Sequence, residues 1–341
     1  MATEVQGFMS NQPTEVFPVT LLDDTVRVQV STRLSVLEAL TFKQTFEELI
    51  TVNSIPKKII IDFGQTTFMD SSGLGALVSN FKNAQEKEIC LILQNVTPQV
   101  MAVLNLTGLA DVFTIEEAEF TATSTQPRRR EEQLPETHPS VRSWTKRFID
   151  IVGALVGLVL TGILSIPIIA IILIDDPGPI FFAQTRCGWM GRRFRMWKFR
   201  SMCVDAEAKK AELQKLNQVQ GAFFKIENDP RVTRVGKFLR RTSLDELPQF
   251  WNVLKGEMSL VGTRPPTPDE VECYEVPEWQ RLDVKPGMTG EWQVNGRSSI
   301  RNFEDVIRLD LEYQKNWSMM YDLKLIFKTV AILFNKSSGA M

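Results

Sequence analysis

Two adjacent carboxylates, Asp245 and Glu246, are the side chains of this sequence whose types and spacing could do covalent chemistry. They follow Arg240 and Arg241 in the stretch RRTSLDELPQ, where Ser243 is a candidate helix N-cap. Acids in the first turn of a helix are also favoured by the helix dipole alone. The nearby positive charge would attract a phosphorylated substrate, so one acid could attack phosphorus while its neighbour holds Mg²⁺.

A basic stretch, KFRSM at residues 198–202, precedes the acidic pair. Lys198 and Arg200 are two positions apart, so an extended chain would place both charges on one face. A solvated basic strand beside a membrane is the alternative interpretation. The functional interpretation is a surface that binds the phosphates of a substrate.

Two later loops also combine a cation with residues that fix the backbone. The stretches GTRPP (262–266) and KPGMTGEWQVNGR (285–297) contain Arg264 and Arg297 among glycines and prolines. Such loops can hold phosphate oxygens with backbone amides and a guanidinium group. Each stretch alone is a weak signal, but their succession after the acidic pair indicates a phosphate-binding site.

The charge of the chain is distributed unevenly. The formal net charge of the 341 residues is −2, but residues 1–120 carry −8, residues 121–140 carry none, and residues 141–341 carry +6. Only the second half is therefore suited to anions such as phosphates or lipid headgroups. Residues 121–140 are rich in Thr, Ser, Pro and charge, which predicts an exposed linker between two domains.

The cysteines and the histidine exclude several classes of site. The four cysteines contain no CxxC pair, which argues against common zinc ribbons and redox motifs and fits a reducing compartment. The one histidine, His138, argues against most histidine-dependent chemistry. Since it lies among prolines and charged residues, we expect it to be a solvated linker residue.

Residues 151–174 form a run of twenty-four residues without a charge. A membrane-spanning helix needs about twenty. Both flanks are basic, and basic flanks tend to stay in the cytoplasm. Pro167 removes a backbone donor inside the run. Together these features predict a helix that enters the inner leaflet, turns near Ser165 and Pro167, and returns to the same face. A straight span is the alternative, and the run excludes a soluble nucleic-acid binder.

A second apolar face lies near the end of the chain, in residues 321–335. Its members are spaced as on one side of a helix. They are Leu323, Ile326, Phe327, Val330, Ala331 and Phe334. The pattern predicts either a core-facing helix or an interfacial helix lying on a bilayer.

Residues 14–120 alternate β-branched runs with helical patterns, which predicts an α/β domain with a sheet and helices on one side. The predicted strands are 16–21, 26–30, 58–63 and 88–93. The predicted helices are 35–49, 71–82 and 98–109, with Ser35 and Thr97 as N-caps. The domain has no glycine-rich phosphate loop, so nothing in it argues for catalysis.

Within this domain, the stretch IIIDFGQTTFMDSSGLGALVSN (59–80) delivers Asp70, Ser71 and Ser72 to the start of a helix. These side chains could simply cap the helix. Alternatively, a phosphate on a serine there would be held by backbone N–H groups and the helix dipole. The string MDSSGLG (69–75) resembles the motif of STAS domains in anti-sigma-factor antagonists. The resemblance implies that Ser71, or alternatively Ser72, is phosphorylated by a serine kinase that controls binding to an anti-sigma-type protein.

The second half resembles the bacterial sugar transferases, monotopic phosphoglycosyl transferases that act on a polyprenol carrier. The resemblance spans about residues 143–334. It rests on KRFIDIVGALVGL, DDPGPIFF, KFRSM, SLDELPQFWNVLKGEMSLVG, TRPP, KPGMTG and QVNGR. It implies transfer of a phospho-sugar from a nucleotide diphosphate sugar, such as a UDP-sugar, to undecaprenyl phosphate, which starts exopolysaccharide or related glycan synthesis.

The same resemblance assigns the site residues. Asp245 matches the nucleophile and Glu246 its Mg²⁺-associated partner. The positions expected to contact phosphate are Lys198, Arg200, Arg240, Arg264 and Arg297. Three positions depart from the family pattern: Ile166 separates Ser165 from Pro167, Thr263 replaces a proline, and Glu291 replaces an aromatic residue.

The expected architecture is therefore a STAS-like regulatory domain at 14–120, a linker at 121–140 and a mixed α/β, helix-rich transferase domain at 141–341. The membrane helix at 151–174 would hold the protein at the cytoplasmic face of the bacterial inner membrane. An inactive membrane scaffold that acts in STAS-type partner switching is the alternative function. The joint presence of Asp245, Glu246, Arg264 and Arg297 favours the enzyme.

Overall fold

The structure is a computed structural model, and it divides into two compact units. The residues that it describes are 17–22, 24–51, 56–116, 137–206, 208–209, 229–295 and 303–334. The first unit comprises residues 1–137 together with 274–283, and the second comprises residues 138–273 and 284–341. Most of the predicted linker, residues 121–136, lies outside the described residues.

The first unit contains a five-stranded sheet. Its strands are β1 (Val19–Leu22), β2 (Thr25–Gln29), β4 (Lys58–Asp62), β6 (Cys90–Gln94) and β7 (Thr114–Glu116), in the order β1-β2-β4-β6-β7. The β1–β2 pair is antiparallel and the other pairs are parallel. Two short strands, β3 (Arg33–Leu34) and β5 (Phe68–Met69), form a separate parallel pair.

Three helices accompany the sheet: α1 (Val36–Thr51), α2 (Ser71–Glu86) and α3 (Pro98–Thr107). The hydroxyl of Thr97 accepts a hydrogen bond from Val100 N–H, which confirms the predicted cap of α3. Along β2 and β4 every second side chain is buried, and the buried ones are Val26, Val28, Ile59 and Ile61. The sheet and its helices confirm the predicted α/β class. The sequence missed β3, β5 and β7, which are only two or three residues long.

Residues 274–283 belong to the first unit, although the sequence analysis assigned all of 141–341 to the second domain. They contain a 3₁₀ helix at Val276–Leu282. Val276 and Leu282 are each 2% exposed and Trp279 is 9% exposed, and the segment contacts α1 and α2. Burial of these apolar side chains gives the segment its place in the first unit.

The second unit begins with a short helix, α4 (Pro139–Arg142), and the long helix α5 (Trp144–Asp175). His138 precedes them, and its two ring nitrogens lie 2.8 Å from the Ser140 hydroxyl and 3.1 Å from the Gln314 carbonyl oxygen. The prediction of a solvated histidine was wrong. His138 is instead a partly buried, hydrogen-bonded residue at the start of the unit, and this burial lowers its pKa.

Helix α5 has 32 residues and continues through Pro167. The Ser165 hydroxyl donates to the Gly162 carbonyl oxygen at 2.7 Å. The predicted break near these residues therefore does not end the helix. One face of α5 is polar or closely packed, whereas most of its large apolar side chains are exposed. The exposed ones are Trp144, Phe148, Val152, Leu155, Val156, Val159, Leu160, Ile163, Leu164, Ile166, Leu173 and Ile174.

The rest of the second unit consists of short elements. Its strands are β8 (Phe181–Cys187), β9 (Arg193–Phe199), β10 (Ser259–Val261) and β11 (Gly287–Thr289). Its further helices are α6 (Arg234–Thr242), α7 (Gln249–Lys255), α8 (Pro268–Glu272), α9 (Glu291–Asn295), α10 (Phe303–Lys315) and α11 (Met319–Phe334). Strands β8 and β9 form an antiparallel hairpin, and β10 pairs in parallel with β11. The mixed, helix-rich α/β class is confirmed.

Candidate active site

The local backbone between α6 and α7 places Asp245. Helix α6 ends at Ser243, which has φ 55° and ψ 20° in the left-handed region, and Leu244–Glu246 then form one 3₁₀ turn. Ser243 makes no side-chain cap, so its predicted N-cap role was wrong. Its N–H instead closes the end of α6 on the carbonyl oxygens of Leu239 and Arg240. The change of direction leaves Asp245 only 4% exposed.

Lys198 of strand β9 forms an ion pair with Glu246. The Lys198 ammonium donates to Glu246 Oε1 at 2.9 Å, and about a quarter of each side chain is exposed, 26% and 25%. This pairing brings the KFRSM stretch to the acidic dyad. Partial exposure means that both groups can reach a ligand.

Arg240 lies near the end of α6, close enough to the dyad for its carboxylates to influence its pKa. Its Nε donates to the Ser201 hydroxyl at 2.9 Å. Burial lowers the pKa of Arg240, and the carboxylate of Asp245 is the first opposing influence. Arg240 thus remains a cation held beside the candidate nucleophile, with Ser201 of the KFRSM stretch fixing its orientation.

Arg264 forms a bidentate salt bridge with Glu270. Its two terminal nitrogens, Nη1 and Nη2, donate to the two carboxylate oxygens at 2.8 Å and 3.1 Å. Arg186 of β8 lies beside this pair and donates to the Pro265 carbonyl oxygen at 2.9 Å. Burial and, next, the charge of neighbouring Arg264 lower the pKa of Arg186 to about 10, while Glu270 and Glu246 oppose the shift. The site therefore includes Arg186, which was not among the phosphate-binding residues predicted from the sequence.

The two glycine- and proline-rich loops meet at the β10–β11 pair. Gly262 N–H donates to the Thr289 carbonyl oxygen at 2.9 Å, and Gly287 N–H donates to the Thr263 carbonyl oxygen at 2.8 Å. A Cβ on Gly262 would lie 2.2 Å from the Lys285 carbonyl oxygen, so only glycine permits this approach. The loops that carry Arg264 and Lys285 are thereby joined by backbone hydrogen bonds.

Arg200, one of the sequence-predicted phosphate ligands, contacts the end of α5. Arg200 forms an ion pair with Asp176, at 3.3 Å between Nη1 and Oδ2, and a further hydrogen bond with the Asp176 carbonyl oxygen. Arg200 therefore binds the C-cap residue of α5, and this contact does not involve the acidic dyad. Arg297 lies outside the described residues. The sequence holds a signal for Arg186. In an antiparallel pair of β8 and β9, the alternation of side chains places Arg186 on the same face of the hairpin as Lys198.

The donor set suits a magnesium ion that also binds substrate. Mg²⁺ is usually held by one or two carboxylates together with phosphate oxygens and water. Glu246 and Asp245 offer two carboxylates on one turn, and Glu246 is partly exposed. Within the described part of the chain, no group of three or more His, Cys, Asp and Glu could hold a metal on its own. The residues therefore fit an ion shared with a diphosphate, with Glu246 as the protein ligand.

The candidate phosphoserine of the first unit lies at the start of α2. Asp70 caps the helix by accepting a hydrogen bond from Gly73 N–H at 2.9 Å, and burial raises the pKa of Asp70. Ser71 and Ser72 are both 0% exposed. The Ser71 N–H donates to Asp283 Oδ1 at 3.0 Å. The serines are therefore placed at a helix N-terminus as predicted, but they are covered rather than exposed.

Comparison with known proteins supports the division into two domains. The bacterial sugar transferase family matches residues 141–336, and the STAS domain matches residues 18–122. The galactosyl transferase CpsE of Streptococcus agalactiae is 52% identical over 188 residues, which cover 55% of this chain and 42% of that protein. The UDP-galactose-lipid carrier transferase of Erwinia amylovora is 43% identical, covering 57% of this chain and 41% of that protein.

A shorter relative, the exopolysaccharide production protein ExoY of Rhizobium meliloti, is 38% identical over 60% of this chain and 94% of its own length. The chain thus matches less than half of the first two relatives and nearly all of the third. The solved anti-sigma factor antagonist SpoIIAA, in its unphosphorylated form, is 23% identical over 30% of this chain and 87% of its own, with a TM-score of 0.28. The STAS assignment rests on the domain match rather than on that likeness.

The transferase match covers more than half of the 341 residues and includes the dyad, the basic strand and both glycine-rich loops. This chain therefore belongs to the bacterial sugar transferase family and carries a STAS domain ahead of its transferase domain.

Proposed function

We propose that this protein transfers a phospho-sugar from a UDP-sugar to undecaprenyl phosphate and so initiates exopolysaccharide or related glycan synthesis. The observation that carries the proposal is the buried Asp245 beside Glu246, with Lys198 paired to Glu246 and Arg240 close to Asp245. Arg186 is close enough to both Glu246 and Arg264 for their charges to shift its pKa. Cations near the pair suit a diphosphate, and a carboxylate among them suits attack on phosphorus. The named activities of the relatives support the same substrate classes.

In the first step, a carboxylate oxygen of Asp245 attacks the β-phosphorus of the sugar nucleotide. The bond between that phosphorus and the bridging oxygen breaks, and the nucleoside monophosphate leaves with the electron pair. Lys198, which is paired with Glu246, would bind the diphosphate oxygens, while Arg240 keeps a positive charge next to the nucleophile. Arg264 is the candidate for a further contact to phosphate. The product is an acyl phosphate, a mixed anhydride between the Asp245 carboxyl group and the sugar phosphate.

In the second step, a phosphate oxygen of the lipid carrier attacks the same phosphorus. The bond to Asp245 breaks, and its carboxylate is released with the electron pair, ready for another cycle. Bound Mg²⁺ would offset the charge of the diphosphate. Glu246 would hold that ion, and Lys198 neutralises Glu246 when no substrate is present.

The direct test is release of nucleoside monophosphate. The full chain in membranes is mixed with undecaprenyl phosphate and, in separate reactions, with each member of a panel of UDP-sugars. We expect about one UMP per enzyme without lipid phosphate, from the first step, and continued release with at least one sugar nucleotide only when the lipid phosphate is in excess over enzyme. Absence of UMP with every member of a broad panel would favour the scaffold over the enzyme.

Replacing Glu246 with Gln is expected to raise the Mg²⁺ concentration for half-maximal turnover by roughly tenfold or more, because the metal loses its charged protein ligand. Turnover at saturating Mg²⁺ should fall less than the metal affinity does. The measurement is a Mg²⁺ titration of UMP release. Glu272→Gln, which changes an exposed carboxylate of α8, is the control and should leave the titration unchanged. An unaltered titration for Glu246→Gln would remove this residue from the metal site.

We also propose that the chain is monotopic, with both ends of α5 at the cytoplasmic face of the inner membrane. The proposal is supported by polar contacts between α5 and other elements of the second unit, which occur along the whole length of the helix. Near its start, Arg147 donates to the carbonyl oxygens of Val253 and Leu254, each at 2.7 Å. At its end, the carboxylate of Asp175 accepts a hydrogen bond from Val235 N–H at 3.0 Å.

The middle of α5 makes the same kind of contact. The Phe250 ring packs so closely on Gly157 that a Cβ there would lie 2.5 Å from it, and Thr161 donates to the Leu247 carbonyl oxygen at 3.3 Å. A helix of 32 residues is about 48 Å long, which is more than the thickness of the hydrocarbon core. A straight span would require these polar contacts to lie in hydrocarbon, which is costly. A helix with its apolar face in one leaflet avoids that cost.

Cysteine labelling tests this topology. In a background where Cys90, Cys203 and Cys273 are Ser, a cysteine at Arg129 and another at Lys209 are expected to react from the cytoplasmic side only. A membrane-impermeant maleimide applied to intact spheroplasts should label neither, and lysis should expose both. Labelling of one site before lysis would establish a span and contradict the monotopic arrangement.

Finally, we propose that the STAS domain regulates glycan output through phosphorylation of Ser71, with Ser72 as the alternative, by a serine kinase. The placement of both serines at the N-terminus of α2 supports this, because helix N-terminal amides favour a phosphate. The match to the STAS domain supports a protein partner of the anti-sigma type. Phosphoserine at position 71 in protein isolated from cells, identified by mass spectrometry, is the expected observation. Its absence under all growth conditions would refute the proposal.

A further inference from the structure

The segment 274–283 covers the start of α2, where the candidate phosphoserine lies. The side chain of Asp283 accepts a hydrogen bond from Ser71 N–H at 3.0 Å. This is the place and the interaction that a phosphate at a helix N-terminus would take. A carboxylate of the chain itself therefore occupies the anion position of the helix.

An aromatic contact next to this hydrogen bond fixes the segment. Trp279 packs on Gly75, and the three atoms nearest to a Cβ built on Gly75 all belong to the Trp279 ring system, at 2.5 to 2.6 Å. Glycine at position 75 is thus what allows the indole to lie against α2. Within the segment, Arg281 donates to the Tyr274 hydroxyl at 2.7 Å, which helps to hold its shape.

Docking of the segment and a phosphate on Ser71 conflict sterically and electrostatically. Ser71 is 0% exposed, so no kinase can bring a phosphoryl donor to its hydroxyl in this arrangement. A phosphate on Ser71 would add about −1.5 to −2 charges between Asp70 and Asp283. Burial, followed by the charge of Asp70, already raises the pKa of Asp283 to about 7, which shows how poorly the site accommodates more negative charge.

We propose that segment 274–283 is a resident intrachain ligand of the α2 N-terminus, and that its docking and phosphorylation of Ser71 exclude each other. The second half of this inference rests on the proposed role of Ser71 as phosphoacceptor. By linkage, phosphorylation releases the segment, and docking protects Ser71 from the kinase to the same degree. A protein partner that binds this face of α2 must also displace the segment.

The segment is covalently continuous with the transferase domain at both ends. On one side it follows α8, whose Glu270 binds Arg264. On the other side it leads into Lys285 and β11, which pairs with β10. Release of the segment therefore changes the restraint on the loops at 262–266 and 285–297, which carry candidate phosphate ligands. The chain itself would transmit the change.

Hydrogen exchange of the full-length protein tests the docking. Gly75→Ala is the sharpest variant, because alanine is the better helix former yet its Cβ collides with Trp279. We expect exchange in peptides covering 274–283 to accelerate at least tenfold, while peptides from β4 and β6 stay as protected as in the unmodified chain. Trp279→Ala should have the same effect from the other side of the contact.

Glu275→Gln is the matched control. It removes only the ion pair between Glu275 and Lys43, whose charged atoms are 3.1 Å apart. The Glu275 side chain is 73% exposed, so the pair lies at the edge of the segment. Exchange in 274–283 should then change by less than about twofold. Unchanged exchange in both Gly75→Ala and Trp279→Ala would overturn the docking. Exchange is read without turnover, so this failure is distinct from a failure of the transferase chemistry.

The exclusion is tested with phosphoserine incorporated at position 71 during translation, which needs no kinase. We expect the same acceleration in 274–283 as Gly75→Ala gives, with β4 and β6 still protected. Normal protection of 274–283 in the phosphoserine protein would overturn the exclusion. Loss of protection throughout the first unit would also overturn it, because Ser71 would then be a core position rather than a switch.

Discussion

Asp245→Asn is expected to lower turnover by at least roughly a thousandfold, because an amide has the shape of the carboxylate but no anionic oxygen to attack phosphorus. The fold should persist, since the substitution conserves volume at a residue that is 4% exposed. The measurement is UMP release by the full chain in membranes. A second measurement is the label retained on the protein after brief mixing with a UDP-sugar labelled in the sugar, which Asp245→Asn should abolish.

A matched control comes from the neighbouring acid. Glu246→Gln removes one carboxylate from the same turn but leaves the nucleophile, so some labelled protein should still form at high Mg²⁺. Near-normal turnover by Asp245→Asn would contradict a covalent mechanism at this residue. Equal loss of labelling in both variants would show that the two acids act as a unit instead of in separate roles.

Lys146→Met is expected to be the most destabilising single substitution of those considered for the second unit. The Lys146 ammonium binds the Asp322 carboxylate and donates to the Val261 carbonyl oxygen at 2.9 Å, and the two charged side chains are only 7% and 4% exposed. Methionine retains the packing but leaves Asp322 as a buried charge without its cation, which costs about 3–5 kcal/mol. The midpoint of thermal unfolding in detergent should fall by roughly 10 °C or more.

The companion substitution Asp322→Asn should recover much of this loss. Tyr313 and Trp317 donate to different oxygens of Asp322, at 2.9 Å and 3.1 Å. Asparagine is neutral, and its one oxygen can accept from the Trp317 indole while its NH₂ donates to the Tyr313 hydroxyl oxygen, which can itself donate to the Val261 carbonyl oxygen. Lys255→Met, which breaks a more exposed pair with Glu257, is the control and should cost less than about 1 kcal/mol. If Lys146→Met is as mild as Lys255→Met, the buried pair does not hold the start of α5.

The sequence by itself determined the local elements and the chemistry that they could support. Alternation and helical periodicity are short-range properties, so they predicted β2, β4 and α2 to within a few residues. The uncharged run predicted a helix at 151–174, but α5 begins seven residues earlier and continues through Pro167. The acidic dyad, the basic stretch and the glycine-rich loops were also visible, because each is contiguous in the chain. So was the division between an acidic first domain and a basic second domain.

Only the tertiary structure decided which of these groups meet. Lys198 and Arg200 are two residues apart, yet one binds Glu246 and the other binds Asp176 at the end of α5. Arg186 joins the site through the β8–β9 hairpin, and residues 274–283 join the first unit through burial of Trp279 and Asp283. The reason is physical: periodicity depends on neighbours along the chain, whereas an ion pair or a buried contact depends on residues that are distant in sequence and close only after folding.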